Sequence, residues 1–309
     1  MIDRYVFNRV LAVHNGKGGT LKTSIAANLA GTIAASGARV LLVDLDPQAN
    51  QGIQLGYDHA ADDGEHLARA MREGRGLDHI LEVRDNLHVA PGGSHLEDVV
   101  SANPWDLLLA PLDAVVDDFD LVILDTPPSS PVPVSAALGV AHHLLIPTAP
   151  DPMSLRGLSL VDQKVGRARE YNPYLNLVGV VLVNIAVNAR VIRQEARDQL
   201  VEILGGSEML LDATIRYSQK TAATANSRGQ LVAELADDEA GKDLKFWEYL
   251  KRGERVPARL DAAPGLAADY ALLAHELITR LNELDAEVQR EEATQDQDQA
   301  AAQDEVVRV

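Results

Sequence analysis

Residues 14–24 read HNGKGGTLKTS, and this stretch decides the fold. The apolar run before it, VFNRVLAV at residues 6–13, reads as a β-strand. The run after it, Lys22–Ser36, reads as a helix, with Ile25, Leu29 and Ile33 at four-residue spacing and Gly37 as its C-cap. Between them the glycines let the backbone turn and aim several N–H groups at one anion. The helix N-terminus adds partial positive charge. A strand, a glycine-rich turn and a helix, in that order, are the context an anion-cradling loop requires.

The rest of the chain repeats the alternation. Ala38–Val43, Leu121–Leu124, Leu144–Ile146 and Leu177–Val183 are short aliphatic runs that read as buried strands. Met153–Arg167 and Val191–Leu204 read as helices between and after them. This pattern predicts an α/β fold: a mostly parallel, twisted sheet with helices on both faces. Residues 57–103 are less regular and read as helix, short strand and loops at the sheet edge. Near the end, Tyr270, Leu273, Leu277, Leu281 and Leu284 fall on one face of a terminal helix. One domain over residues 1–288 is the simplest division, with a charged insertion at 239–264. Residues 289–309 lack apolar period and are acidic, so they are expected to be a disordered tail.

Composition bounds the function. The 309 residues include no cysteine, which excludes disulfides, Cys-ligated zinc and iron–sulfur clusters and fits a reducing cytosol. The N-terminus has charges inside its apolar run and reads as neither signal peptide nor membrane span. A formal charge of −18 opposes nucleic acid or anionic membrane over the whole surface, so any such contact must be a confined patch.

Within the loop, the residue types name a ligand. Lys22 can reach the β- and γ-phosphates of a nucleotide, and the Thr23 hydroxyl can ligate Mg²⁺. The general pattern G-x-x-x-x-G-K-[ST] requires glycine at residue 21, where this chain has Leu21. If that position has positive φ, leucine costs about 1–2 kcal/mol there, and binding or hydrolysis is expected to be weaker for it. Lys17 has no role in the general pattern. With it, Lys17–Ser24 (KGGTLKTS) resembles the deviant Walker A motif of the ParA/MinD family, KGGxGKT[ST].

That resemblance implies the fold of a P-loop NTPase and the activity of an ATPase. It assigns nucleotide contacts to Gly16, Lys17, Gly18, Gly19, Thr20, Leu21, Lys22, Thr23 and Ser24. It also implies that Lys17 reaches the nucleotide of a second subunit, supplying charge as an arginine finger does elsewhere. Residues 41–50, LLVDLDPQAN, resemble the family's VDxDPQGN segment with Ala49 in place of glycine. Asp46 is thereby expected to position the attacking water, and Asp44 to support the Mg²⁺ shell. The turn at Pro47 has to swing Asp46 toward the site, because strand alternation alone sets the two carboxylates apart. FDLVILDTPPSS at 119–130 forms a Walker B pattern, with Asp125 placed to hold water on Mg²⁺. Asn184, in VGVVLVNIAVNAR, is a candidate adenine contact. Arg216 lies in a loosely matching segment, 213–235, and is a further nucleotide candidate.

The resemblance further implies ATP and Mg²⁺ as cofactors, a homodimer bridged by ATP, nonspecific DNA and a ParB-like centromere-binding partner, and no membrane. The implied setting is cytoplasmic, nucleoid-associated in the ATP state, in the partition of plasmid, phage or chromosomal DNA. Candidate DNA contacts are Arg190, Arg193, Arg197, Lys220 and Arg228. Lys245, Lys251 and Arg252 join them, from a segment (242–259) with six basic and three acidic residues. A solvated amphipathic helix would carry the same charges. Three rivals share the motifs: a MinD-like membrane-cycling protein, which needs a cationic terminal helix; an ATP-dependent small-molecule ligase; and a weakly hydrolysing assembly protein.

Overall fold

The computed structural model describes residues 8–240 and 262–307. The first strand, β1 (Val10–Val13), leads through the glycine-rich loop into α1 (Lys22–Ala35) and then β2 (Val40–Asp44). Helices α2 (Asn50–Leu55) and α3 (Glu65–Glu73) precede a hairpin of β3 (Leu81–Arg84) and β4 (Leu87–Ala90). There follow α4 (Leu109–Asp113), β5 (Leu121–Asp125), α5 (Pro131–Val140), β6 (His143–Thr148), α6 (Pro152–Arg169), β7 (Asn176–Ile185), α7 (Arg190–Leu204) and β8 (Leu210–Arg216). Helices α8 (Gln219–Arg228), α9 (Val232–Ala240) and α10 (Ala262–Val307) complete the described chain.

The sheet order is β3-β4-β2-β5-β1-β6-β7-β8. Every pairing is parallel except that of β3 with β4 at the edge. Parallel strands buried on both faces need aliphatics at every position, and the central strands comply. Val10 and Ala12 of β1, Leu41 and Val43 of β2, and Val122 and Leu124 of β5 join one core with α3 to α7. Their alternates Leu11 and Val13, Val40 and Leu42, and Leu121 and Ile123 join the other with α1, α8, α9 and α10. Parallel pairing brings the carboxyl ends of β1, β2 and β5 to one rim, where ligands bind in such sheets.

Two boundaries differ from the sequence reading. The first strand starts at Val10, because residues 8 and 9 form a turn. The last helix does carry Tyr270, Leu273 and Leu277 buried, with Leu281 and Leu284 packed beside them. It does not stop there: the segment expected to be a disordered tail continues as helix to Val307. That stretch lacks proline and glycine and is rich in Ala, Gln and Glu, so propensity supports the helix without an apolar face. Most of the charged insertion, residues 241–261, lies outside the described residues, and Lys245, Lys251 and Arg252 lie there with it.

Candidate nucleotide-binding site

The glycine-rich loop spans the end of β1 and the start of α1. It borders an open cavity of about 450 Å³ lined by Gly18 to Ser24, Asp46, Pro47, Gln48, Asn50, Glu97 and Pro127 to Ser130. The loop turns through Gly19 at φ 76° and Leu21 at φ 59°, ψ 22°. Leu21 is therefore a leucine in the left-handed region, as feared from the missing glycine. Its strain of about 1–2 kcal/mol is offset in part by packing of its side chain on the second core. Ala49, the other departure from glycine, is also left-handed, at φ 50°.

Lys22, the first residue of α1, is buried and donates from Nζ to the Lys17 carbonyl at 3.1 Å. Burial lowers its pKa, and Asp125 and Asp46 pull it back upward. An ammonium buried at a helix N-terminus beside convergent N–H groups suits an anionic ligand. Lys17 points elsewhere: its Nζ donates to Asp151 Oδ1 at 2.7 Å and to Ser154 Oγ at 3.0 Å. Burial raises the Asp151 pKa, but the bonds from Lys17 and Ser154 more than offset it and hold the carboxyl at about 2. Both side chains of this pair are more than a third exposed, so it is worth only about 0–1 kcal/mol.

Asp44 and Asp125 are register partners at the ends of β2 and β5, and both are fully buried. Burial and their mutual repulsion raise the Asp44 pKa, against the hydrogen bonds donated by the peptide N–H groups of Asp46 (3.0 Å) and Gln51 (3.3 Å). Burial raises Asp125 as well, against hydrogen bonds from Gln51 and Thr23. Its Oδ1 has no partner among the described residues. Adjacent buried carboxylates, one with an orphan oxygen, beside a threonine hydroxyl, are the hard oxygen donors that fit Mg²⁺. Asp46 lies a turn beyond, its Oδ1 accepting from the Gln48 N–H at 3.0 Å, and it lines the cavity as the Pro47 turn required.

His14 is fully buried beneath the loop. Thr126 donates its hydroxyl to the Val13 carbonyl at 2.8 Å, so it accepts from His14 Nδ1, 2.9 Å away. Burial, then Lys164 and Lys22, lower the His14 pKa to about 3.

Two expected nucleotide contacts are placed differently. Asn184, left-handed at φ 60°, donates to the Gly19 carbonyl at 3.2 Å and so braces the loop. Arg216 is clamped by Asp269 of α10, at 2.6 Å from Nε and 2.8 Å from Nη2, and it borders a separate small cavity with Arg193. Its carboxylate partner came from a helix too distant in sequence to pair by inspection. Sequence reasoning also passed over Gln51 and Glu97. Glu97 sits on a one-turn helix after the edge hairpin, where no pattern announced it.

Fold and loop together define a P-loop NTPase. A family model described as an AAA domain matches residues 8–177. The chain is 32% identical to the chromosome-partitioning ATPase Soj of Thermus thermophilus, over 82% of this chain and 98% of that protein. Among solved structures it resembles the cobyrinic acid a,c-diamide synthase of Mycobacterium smegmatis with bound ADP and magnesium. That match has 26% identity, a TM-score of 0.60 and coverage of 71% and 91% of the two chains. It also shares its fold with the Cyanothece McdA(D38A)–ATP complex, at 19% identity, TM-score 0.68 and coverage of 87% and 96%. The chain belongs to the ParA/MinD family of P-loop ATPases.

Proposed function

We propose that this chain is a partition ATPase that dimerises around ATP and Mg²⁺, holds nonspecific DNA in that state and releases it on hydrolysis. The observation that carries this reading is the contrast between the two loop lysines. Lys22 is buried and committed to its own site, whereas Lys17 is held by a half-exposed ion pair with Asp151 and one hydrogen bond to Ser154. A pair worth about 0–1 kcal/mol is readily exchanged for the phosphates of a second subunit.

In this reading the N–H groups of residues 16–24 and Lys22 grip the triphosphate. Thr23, with Asp44 and Asp125 through water, would hold Mg²⁺, which would supply positive charge against the phosphates. Asp46 orients the attacking water from the cavity wall. The names of two relatives support a role in chromosome partition; the ParB-like stimulating partner rests on the motif resemblance. The ligand of the M. smegmatis neighbour supports nucleotide and magnesium.

For DNA, Arg190 and Arg193 open α7 on the loop that follows Asn184, and both are exposed. Lys220 and Arg228 are exposed on α8. None of these four forms an ion pair among the described residues, whereas Arg197 is taken up by Leu211 and Asp212. In a protein of charge −18, exposed cations without ion-pair partners on the helices before and after β8 favour a confined phosphate-binding patch. No helix among the described residues is long and apolar enough to cross a membrane. The test is DNA retention on a filter or surface. ATP with Mg²⁺ should produce salt-sensitive retention that Lys17→Ala and Arg190→Ala/Arg193→Ala each abolish. Equal retention without nucleotide contradicts the reading.

A further inference from the structure

Gln51 is the second residue of α2 and is fully buried. Its peptide N–H donates to Asp44 Oδ2 at 3.3 Å. Its side-chain Nε2 donates to Asp125 Oδ2 at 2.8 Å and to the Thr23 carbonyl at 3.2 Å. The Thr23 carbonyl can only accept, so the amide orientation is fixed: the NH₂ must face it. One residue thus ties together both buried carboxylates and Thr23, the loop residue whose own side chain bonds to Asp125.

We infer that Gln51 is a positioning residue for the magnesium site, and this rests on the nucleotide-binding reading above. The carboxylate of Asp125 has two oxygens. Gln51 engages Oδ2, and Oδ1 is left buried without a partner among the described residues. The amide therefore fixes the rotation of the carboxylate and decides which oxygen is offered. It does so with neutral donors. A lysine at the same place would satisfy Asp125 but bring a positive charge against the cation, and a glutamate would add a third carboxylate. The Gln51 Oε1, also buried without a partner, is a further acceptor for water in the metal shell. Partners that orient metal ligands, or the groups that hold metal-bound water, commonly change metal affinity 10- to 100-fold when removed.

The experiment measures binding of a fluorescent ATP analogue to the parent, Gln51→Met and Gln51→Asn. Magnesium is titrated in one arm and held absent by EDTA in the other. Methionine keeps the volume without the donors; asparagine keeps the donors one methylene too short. Expected is an increase of about tenfold in the magnesium concentration for half-saturation in both variants, with affinity in EDTA unchanged. Unchanged magnesium dependence in either folded variant overturns the inference. So does an equal loss of affinity with and without metal, which marks Gln51 as merely structural. If one variant does not fold, the other decides. A parent that takes up no nucleotide in either arm strikes instead at the nucleotide-binding reading.

Discussion

Strands β2 and β5 run side by side and change character within one residue. From Val40 to Val43 and from Leu121 to Leu124 they are wholly aliphatic, paired in register and buried on both faces. One step further they present Asp44 against Asp125, equally buried. The interior is satisfied within the molecule: its hydrogen bonds are the ladder and its side chains meet only carbon. The ends are not, since raised carboxyl pKa values and the orphan Asp125 Oδ1 mark charge that the protein alone does not compensate. Interior residues should therefore set stability, and end residues should set ligand affinity at little cost in folding.

The sharpest way to break this contrast is a pair of substitutions. Leu42→Ala, in the interior, should lower unfolding free energy by about 2–5 kcal/mol, read by denaturant titration, while the ATP affinity of the folded fraction stays near the parent's. Lys22→Ala should do the reverse. Losing a charged hydrogen-bond donor of about 1.5–3 kcal/mol weakens ATP roughly 10- to 150-fold in a binding titration, with the unfolding midpoint little changed.

His14 sharpens the contrast from below the loop. Its folded pKa of about 3 lies below the ordinary 6.5, so the unfolded chain binds the extra proton between those values. Stability is thus lost as pH falls through that window, by about 2 kcal/mol at pH 5. In His14→Gln the acid limb of the stability–pH curve should be shallower by that amount. The smallest effect belongs to Leu21→Gly. It relieves about 1–2 kcal/mol of left-handed strain but gives up unfolded-chain order and packing of about 0.4–1 kcal/mol. The net should be a stability change within about 1 kcal/mol, with faster steady ATP turnover in a phosphate-release assay.

The same contrast explains what was legible in the sequence. The interior strands and the rim motifs could be read because each depends on neighbours in the chain: an aliphatic run, then Asp; a turn, then Lys-Thr. Even the strain at Leu21 was visible, as a leucine where the pattern wants glycine. What could not be read was pairing across the chain. The ion pair of Arg216 with Asp269, from the last helix, is one such pairing. The direction of Lys17 toward Asp151 and the brace from Asn184 to Gly19 join residues over a hundred positions apart. Gln51 was hidden for a related reason: it sits one residue past the 41–50 motif, and its side-chain partners are on β5 and α1. The terminal helix beyond Leu284 was missed because periodicity detects burial, and that stretch has no apolar stripe.

Sedimentation velocity with Mg²⁺, with and without ATP, reaches the central claim most directly. The account predicts a single copy without nucleotide, two copies with ATP, and a Lys17→Ala variant that takes up ATP but stays single. A parent of the same mass in both conditions, or a Lys17→Ala variant that pairs as well as the parent, would contradict it.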